Sequence, residues 1–344
     1  MNLSSLIIGT LLFGVSAAFT RVYEWNEKQF SKEVPSKVVI YGDRIFFGFP
    51  NNSSSGTKAR LTFAWMPGGD KSNLSPSLHP LQEQFGENCD AVQSVIDLET
   101  DVLGRLWVLD GGSRNCQPTF RIFDLKNNDS LLLVHPLAGS PRNIVAIADG
   151  VADKVALVSQ WNGKYFSFAL NENKTMPSTP KTGNSYQDWD FKDLAWVLFS
   201  PLKYATAYMC SYQCREIFLA DDSTTPTTVT QIGALSSDSK GMLMDSKGVL
   251  YFVQEKEKRV TAWDSKSPFK EELLHKFESD VDSINFALDR ADNLWLLSHD
   301  ASSRFFLLKG EYKHKQQINR SMAILQEFMA AFDKILGFNT GFRF

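Results

Sequence analysis

The stretch GRLWVLDGG, Gly104 to Gly112, reads as a buried strand that stops abruptly. Leu106-Trp107-Val108-Leu109 is bounded by Arg105 on one side and by Asp110 and two glycines on the other. A short, continuous apolar run ended by turn residues is the pattern of a strand buried on both faces. Nearly the same phrase returns as SKGVLYFVQ around Tyr251 and ADNLWLLSH around Trp295. Those two aromatics are 44 residues apart, and Trp107 lies 144 residues, three steps of 48, before Tyr251. The intermediate steps fall on DKVALVSQW from Asp153 and YATAYMCS from Tyr204, and a first unit starts with GDRIFFGFP at Gly42. The chain therefore holds six units.

Within about ten residues of each phrase a second β-branched and aromatic run tends to follow: TFRIFDL, YFSFAL, CREIFLA, RVTAWD, RFFLLKG. Several strands per unit at a period of about 40 to 50 residues predict an all-β, six-bladed β-propeller. A β-sandwich is the rival reading, but it does not explain the period. Trp107, Tyr251 and Trp295 are expected on the innermost strands, as packing between blades rather than as ligand contacts. The residues just beyond, Asp110-Gly111-Gly112 and Ser298-His299-Asp300, are expected to reach a rim of the central channel.

The last segment differs. Ile318, Met322, Leu325, Met329, Phe332 and Leu336 recur at steps of 4, 3, 4, 3 and 4, the spacing of an amphipathic helix, with Gly337 as its stop. The organisation read from the chain is residues 1–18, a propeller over 19–312 and a C-terminal helical extension over 313–344. The face carried by 316–337 is expected to dock on its own propeller, to self-associate or to meet a protein partner.

Of 344 residues, 43% are apolar, 22% are charged, and the net charge is -3, which leaves no basic footprint for nucleic acid. The chain opens MNLSSLIIGTLLFGVSAAFT. Leu6 to Val15 is apolar, and Ser16-Ala17-Ala18 supplies small residues for cleavage, as in a secretory signal peptide. The run is too short to span ~30 Å of hydrocarbon, which takes about 20 residues. The expected product is secreted and extracellular, with no membrane span. Sequons at Asn51, Asn52, Asn73, Asn128, Asn173 and Asn319 sit in polar, turn-like sequence and are expected glycosylation sites. Four cysteines in an oxidising compartment predict two disulfides. Three pairings exist, and locality favours Cys89–Cys116 and Cys210–Cys214. No CxxC and no His at ligand spacing argue for a metal, and no cofactor is expected.

No nucleophile elbow, HExxH or P-loop is present. Of five histidines only His299 falls at the predicted rim. Asp97, Glu99, Asp101 and Asp110 flank one strand, and a carboxylate facing an aromatic pocket suits a protonated amine by ion pairing and cation–π contact. Trp161 and Asn162 follow the third aromatic strand and make a further rim candidate.

From VYEW at Val22 to about residue 310 the chain resembles the insect yellow / major royal jelly protein family. The likeness rests on DRIFFGFP, LHPL, NCDAVQSV, GRLWVLDGG, CQPTFRIFDL and FSPL, in family order. The resemblance implies a secreted six-bladed propeller and supports the pairing of Cys89 with Cys116. Departures are the length, shorter than typical members, Leu103 where many members have a cysteine, CSYQC, the C-terminal helix, and Ser298-His299 in place of a Ser-Asn pair. Three functions follow from the resemblance. One is binding of a small aromatic or amine ligand such as serotonin in the channel, with Ser283 and His299 as the positions to compare and Asp110, Trp161 and Asn162 as rim contacts. Another is a dopachrome-converting, tautomerase-like enzyme of melanin formation, in which Asp110 and His299 would be the acid and base. The third is a structural or nutritive secreted protein that assembles through its C-terminal helix.

Overall fold

The structure is a computed structural model that describes residues 19–25, 34–50, 60–65, 79–80, 88–149, 154–160, 165–178, 194–200, 202, 206–211, 214–221, 228–278, 281–302 and 304–310. Among them there is no helix, and hence none long and apolar enough to cross a membrane. The predicted signal peptide and C-terminal helix, Trp161, Asn162 and the sequons at Asn51, Asn52, Asn73 and Asn319 lie outside the described residues.

The chain begins with β1 (Thr20–Trp25). Runs of four antiparallel strands follow. They are β2 (Lys37–Tyr41), β3 (Arg44–Phe49), β4 (Arg60–Trp65) and β5 (His79–Pro80), then β6 (Val95–Thr100), β7 (Arg105–Asp110), β8 (Thr119–Asp124) and β9 (Ser130–Pro136). The next are β10 (Pro141–Asp149), β11 (Lys154–Gln160), β12 (Tyr165–Ala169) and β13 (Lys174–Ser178), then β14 (Leu194–Phe199), β15 (Thr206–Ser211), β16 (Glu216–Asp221) and β17 (Thr228–Ala234). β18 (Met242–Met244), β19 (Val249–Gln254), β20 (Arg259–Asp264) and β21 (Glu272–Lys276) form another sheet. The last run, β22 (Val281–Leu288), β23 (Leu294–Asp300) and β24 (Phe305–Gly310), takes β1 as its fourth strand. In five sheets every strand has three residues or more; in the sheet that starts with β2 the fourth strand is described only as His79–Pro80.

β2 packs against β6, β6 against β10, β10 against β14, β14 against β18, β19 against β22, and β22 back against β2. The sheets close a ring, and the chain is an all-β propeller. Its last sheet joins both ends of Phe19–Gly310, with Trp25 paired to Phe305 and Thr20 to Lys309. The core lies between neighbouring sheets. Phe47 and Phe49 pack with Trp25, Trp295 and Phe305 on one side of their strand, while Phe46 packs with Val95, Leu98 and Phe123 on the other. Trp107 meets Phe120 and Phe168 edge-on, at 5.9 and 6.1 Å between ring centroids. Burial of each such ring stabilises the ring by about 1.5–3 kcal/mol.

All six repeated phrases fall on β3, β7, β11, β15, β19 and β23, the second strand of each sheet, and the runs that follow fall on the third. The expectation that the aromatic strands are innermost is corrected. A second strand has strands on both edges and a neighbouring sheet over each face, so it can be apolar without alternation; β3 and β19 are buried at every residue. The innermost strand has one edge on the axis, and on β2, β6 and β10 it carries Lys37, Asp97 with Glu99, and Arg142 with Asn143, whereas β14 (LAWVLF) and β18 (MLM) are wholly apolar.

The turn before each of three aromatic strands uses one device. Asp101 Oδ1 accepts from the backbone N–H of Leu103 and Arg105, and Oδ2 accepts from Trp107 Nε1 at 2.9 Å. Asp245 does the same with Lys247, Val249 and the Tyr251 hydroxyl at 2.9 Å. Asp289 repeats it with Ala291, Asn293 and Trp295 Nε1 at 2.8 Å. The fourth residue of each turn has positive φ: Gly104 at 84°, Gly248 at 85° and Asp292 at 62°. An aspartate that satisfies two turn amides and the polar tip of a buried aromatic explains why the aromatic at that position is Trp or Tyr.

Both disulfides favoured by locality are present, Cys89–Cys116 and Cys210–Cys214. The second closes a loop in which Cys214 takes φ of 42°.

Candidate functional site

Asp110 ends β7 and is fully buried. Its carboxylate is saturated by protein. Oδ1 accepts from the backbone N–H of Ser94 at 2.9 Å and Gly112 at 3.0 Å, and Oδ2 accepts from that of Gln93 at 3.0 Å. Arg121 Nε lies 3.4 Å from Oδ2, and the same guanidinium donates to the carbonyls of Cys89, Asp90 and Ala91. Asp110 and Arg121 therefore tie the segment 89–94, with one half of a disulfide, to β7 and β8. Gly112 carries the chain at φ of 71°, and a Cβ there would run into the Cys116 carbonyl. This is the physical content of LDGG followed by a cysteine: an acid that anchors a loop, and glycines where no side chain fits. A buried ion pair with its lone pairs filled is structural, so Asp110 has no face left for a ligand.

Ser283 and His299 are brought together. They are cross-strand partners on β22 and β23, and His299 pairs on its other edge with Phe305, the ring centroids 4.5 Å apart. His299 and Asp110 are not brought together as an acid and base, because the sheet of β2–β5 separates theirs in the ring. His275 is half-buried between Phe19 and Phe277, and burial holds its pKa below the usual histidine value.

On the axis is a cavity of about 300 Å³, lined by β2, β6, β14, β18 and β22. Leu198, Met244 and Phe286 give it apolar walls, and Lys37, Glu99 and Thr100 a polar one. Glu99 and Thr100 end β6, Met244 ends β18 and Leu288 ends β22, so the cavity lies toward the C-terminal ends of those strands, while on β2 its lining runs from Lys37, the first residue, to Ile40. Asp110 and Ser283 sit at the other end, since Asp110 pairs with Val95, the first residue of β6, and Ser283 is the third of β22. Neither Asp110 nor His299 lines the cavity.

Three charges meet at its wall. Lys37 Nζ lies 3.5 Å from Asp97 Oδ1. Asp97 also accepts from the backbone N–H of Leu98 and, across to β10, of Ile144, both at 2.9 Å. Burial acts to lower the Lys37 pKa, but the charges of Asp97 and Glu99 outweigh it and hold the ammonium above its usual value. Burial raises the Glu99 pKa above the usual carboxylate range; Asp97 pushes it the same way and Lys37 opposes. Asp97 is thus fixed in the frame, whereas Glu99 is the carboxylate on the cavity wall whose ionised form the site stabilises least. The sequence marked Asp97 and Glu99 as acids near the mouth but passed over Lys37. Its signal was a lysine opening the otherwise apolar strand KVVIY.

The family model described as major royal jelly protein matches residues 140–327, more than half of the chain. The chain belongs to the major royal jelly protein family. No curated protein sequence matches it. The matched region takes in the strands β10 to β24, while the Asp110–Arg121 knot, Lys37, Asp97 and Glu99 lie before it.

Proposed function

We propose that this major royal jelly family protein is a secreted, six-bladed propeller that binds a small aromatic amine in the cavity on its axis. The observation that carries this reading is Glu99. With Glu99 ionised, Lys37, Asp97 and Glu99 sum to one excess negative charge beside a wall that includes Phe286. A protonated amine would neutralise that charge, and its ring would cover the apolar wall. A volume near 300 Å³ is at the small end for ligand sites, which fits a compact molecule. Two disulfides and exposed sequons at Asn128 and Asn173 support the secretory route.

The test is a thermal-shift panel of indoleamines, catecholamines and uncharged catechols on the secreted protein. An amine present at about 100 times its Kd should add about 2.7 kcal/mol of stability. The gain should vanish in Glu99→Gln and persist in His299→Ala. Binding should weaken as pH falls through the raised pKa of Glu99, because only the ionised carboxylate pairs with the cation. No shift with any amine, or an equal shift with uncharged catechols and in Glu99→Gln, overturns the reading.

A second reading rests on the same group. Glu99, whose pKa burial raises, beside the Lys37 ammonium offers a proton acceptor and a donor for a tautomerisation such as dopachrome conversion. Decay of dopachrome absorbance above a heat-denatured control, lost in Glu99→Gln, would favour it.

A further inference from the structure

We propose that Asn128 and Asn173 carry N-linked glycans that together cover β9, an apolar outer strand that the fold leaves bare. The proposal rests on the secretory reading above. β9 is the end strand of its sheet and reads SLLLVHP, without a charged side chain. The outer strands β13, β21 and β1 carry Lys174, Glu272 with Lys276, and Arg21 with Glu24, and β17, TVTQIGA, which also has no charge, carries threonines and a glutamine in place of leucines. Leu131, Leu132 and Val134 are 44%, 50% and 41% exposed. Edge strands of this kind associate unless charge, a bulge or a cover prevents it. A bulge is present: the register shifts so that Leu132 has no partner on β8. It spoils the edge as a template for another strand, but the leucines stay in water.

The two sequons stand at opposite ends of this strand. Asn128 lies in the turn that enters β9, exposed and at φ of 52°. Asn173 belongs to the next sheet, in the β12–β13 turn, exposed and at φ of 47°. His135 of β9 brings it over: its Nδ1 lies 2.7 Å from Asn173 Oδ1 while its ring packs 4.7 Å from Phe168. That contact holds the carboxamide oxygen against β9 and leaves Nδ2, the atom that takes the sugar, on the amide's other arm. Exposed left-handed turns admit a glycan without moving the backbone. One sugar thus starts before Leu131 and the other beside His135, with the bare leucine-valine stretch between.

The test uses the full chain secreted from insect cells. Peptide mapping is expected to find both asparagines occupied. Ser130→Ala with Thr175→Ala removes both sequons but keeps both asparagines and the His135 contact. The variant is expected to move from monomer to dimer or larger species in light scattering, and Leu132→Lys with Val134→Lys in that background should restore the monomer. Should the sequon variant not be secreted, enzymatic removal of glycans from the folded wild type gives the same readout. Glycans at other sequons with Asn128 and Asn173 bare would overturn the proposal alone. A protein retained in the cell without any glycan would overturn the secretory reading beneath it. A monomer unchanged after deglycosylation would refute the covering role.

Discussion

Replacing Asp110 with Asn keeps the volume of the side chain and removes its charge. The amide oxygen can still accept from Ser94 and Gly112, but an NH2 then faces the Gln93 N–H and the Arg121 guanidinium, donor against donor. Arg121 is 2% exposed, so its charge stays buried with carbonyls only. Removing one partner of a buried pair typically costs about 3–5 kcal/mol. For a unit of nearly three hundred residues this is a fall in Tm on the order of 10 °C. The assay is tryptophan-fluorescence melting at one scan rate, with urea unfolding to confirm that the midpoint moves while the slope does not. Asp110→Asn should also leave more free thiol in the secreted protein, because the tie holds the segment that carries Cys89 to Cys116. A Tm within 2 °C of wild type, together with loss of ligand binding, would refute the reasoning and return Asp110 to the site.

The remaining predictions concern the turns and the glycines. Tyr251→Phe leaves a buried Asp245 oxygen without its hydroxyl donor and should cost about 1–3 kcal/mol by urea unfolding, more than Tyr208→Phe measured the same way. Gly112→Ala should be poorly secreted, with Cys89 and Cys116 titrating as free thiols, because the position needs positive φ and has no room for a Cβ. Burial acts to raise the Asp101 pKa, but hydrogen bonds from Trp107 and Arg105 outweigh it and the folded value is depressed. Its stabilisation is therefore full above about pH 4 and is lost as pH falls through the depressed value, so Asp101→Asn should flatten the acid limb of a stability–pH curve.

The repeat was legible because β3, β7, β19 and β23, the second strands of their sheets, are buried along nearly their whole length. Six phrases, the last five spaced by about four dozen residues, located six strands, and the runs after those five located their neighbours. Local spacing also favoured both disulfides. What stayed hidden was which strand faces the axis. Glu99 was one of four acids around one strand and Lys37 opens KVVIY, yet nothing in one dimension singles out the pair, because their meeting needs the closure of the ring. Asp110 misled for the complementary reason. An acid next to two glycines has the same appearance whether it faces a ligand or three backbone amides and an arginine 11 residues on. The sequence by itself determined the repeat, the all-β class and the residue types in each turn, since these follow from local periodicity and side-chain chemistry; it favoured the cysteine partners by locality, and the structure joined them. Tertiary structure alone decided which carboxylate is used up by the frame and which stands on the cavity wall. Hydrogen bonds and desolvation between distant strands set that difference.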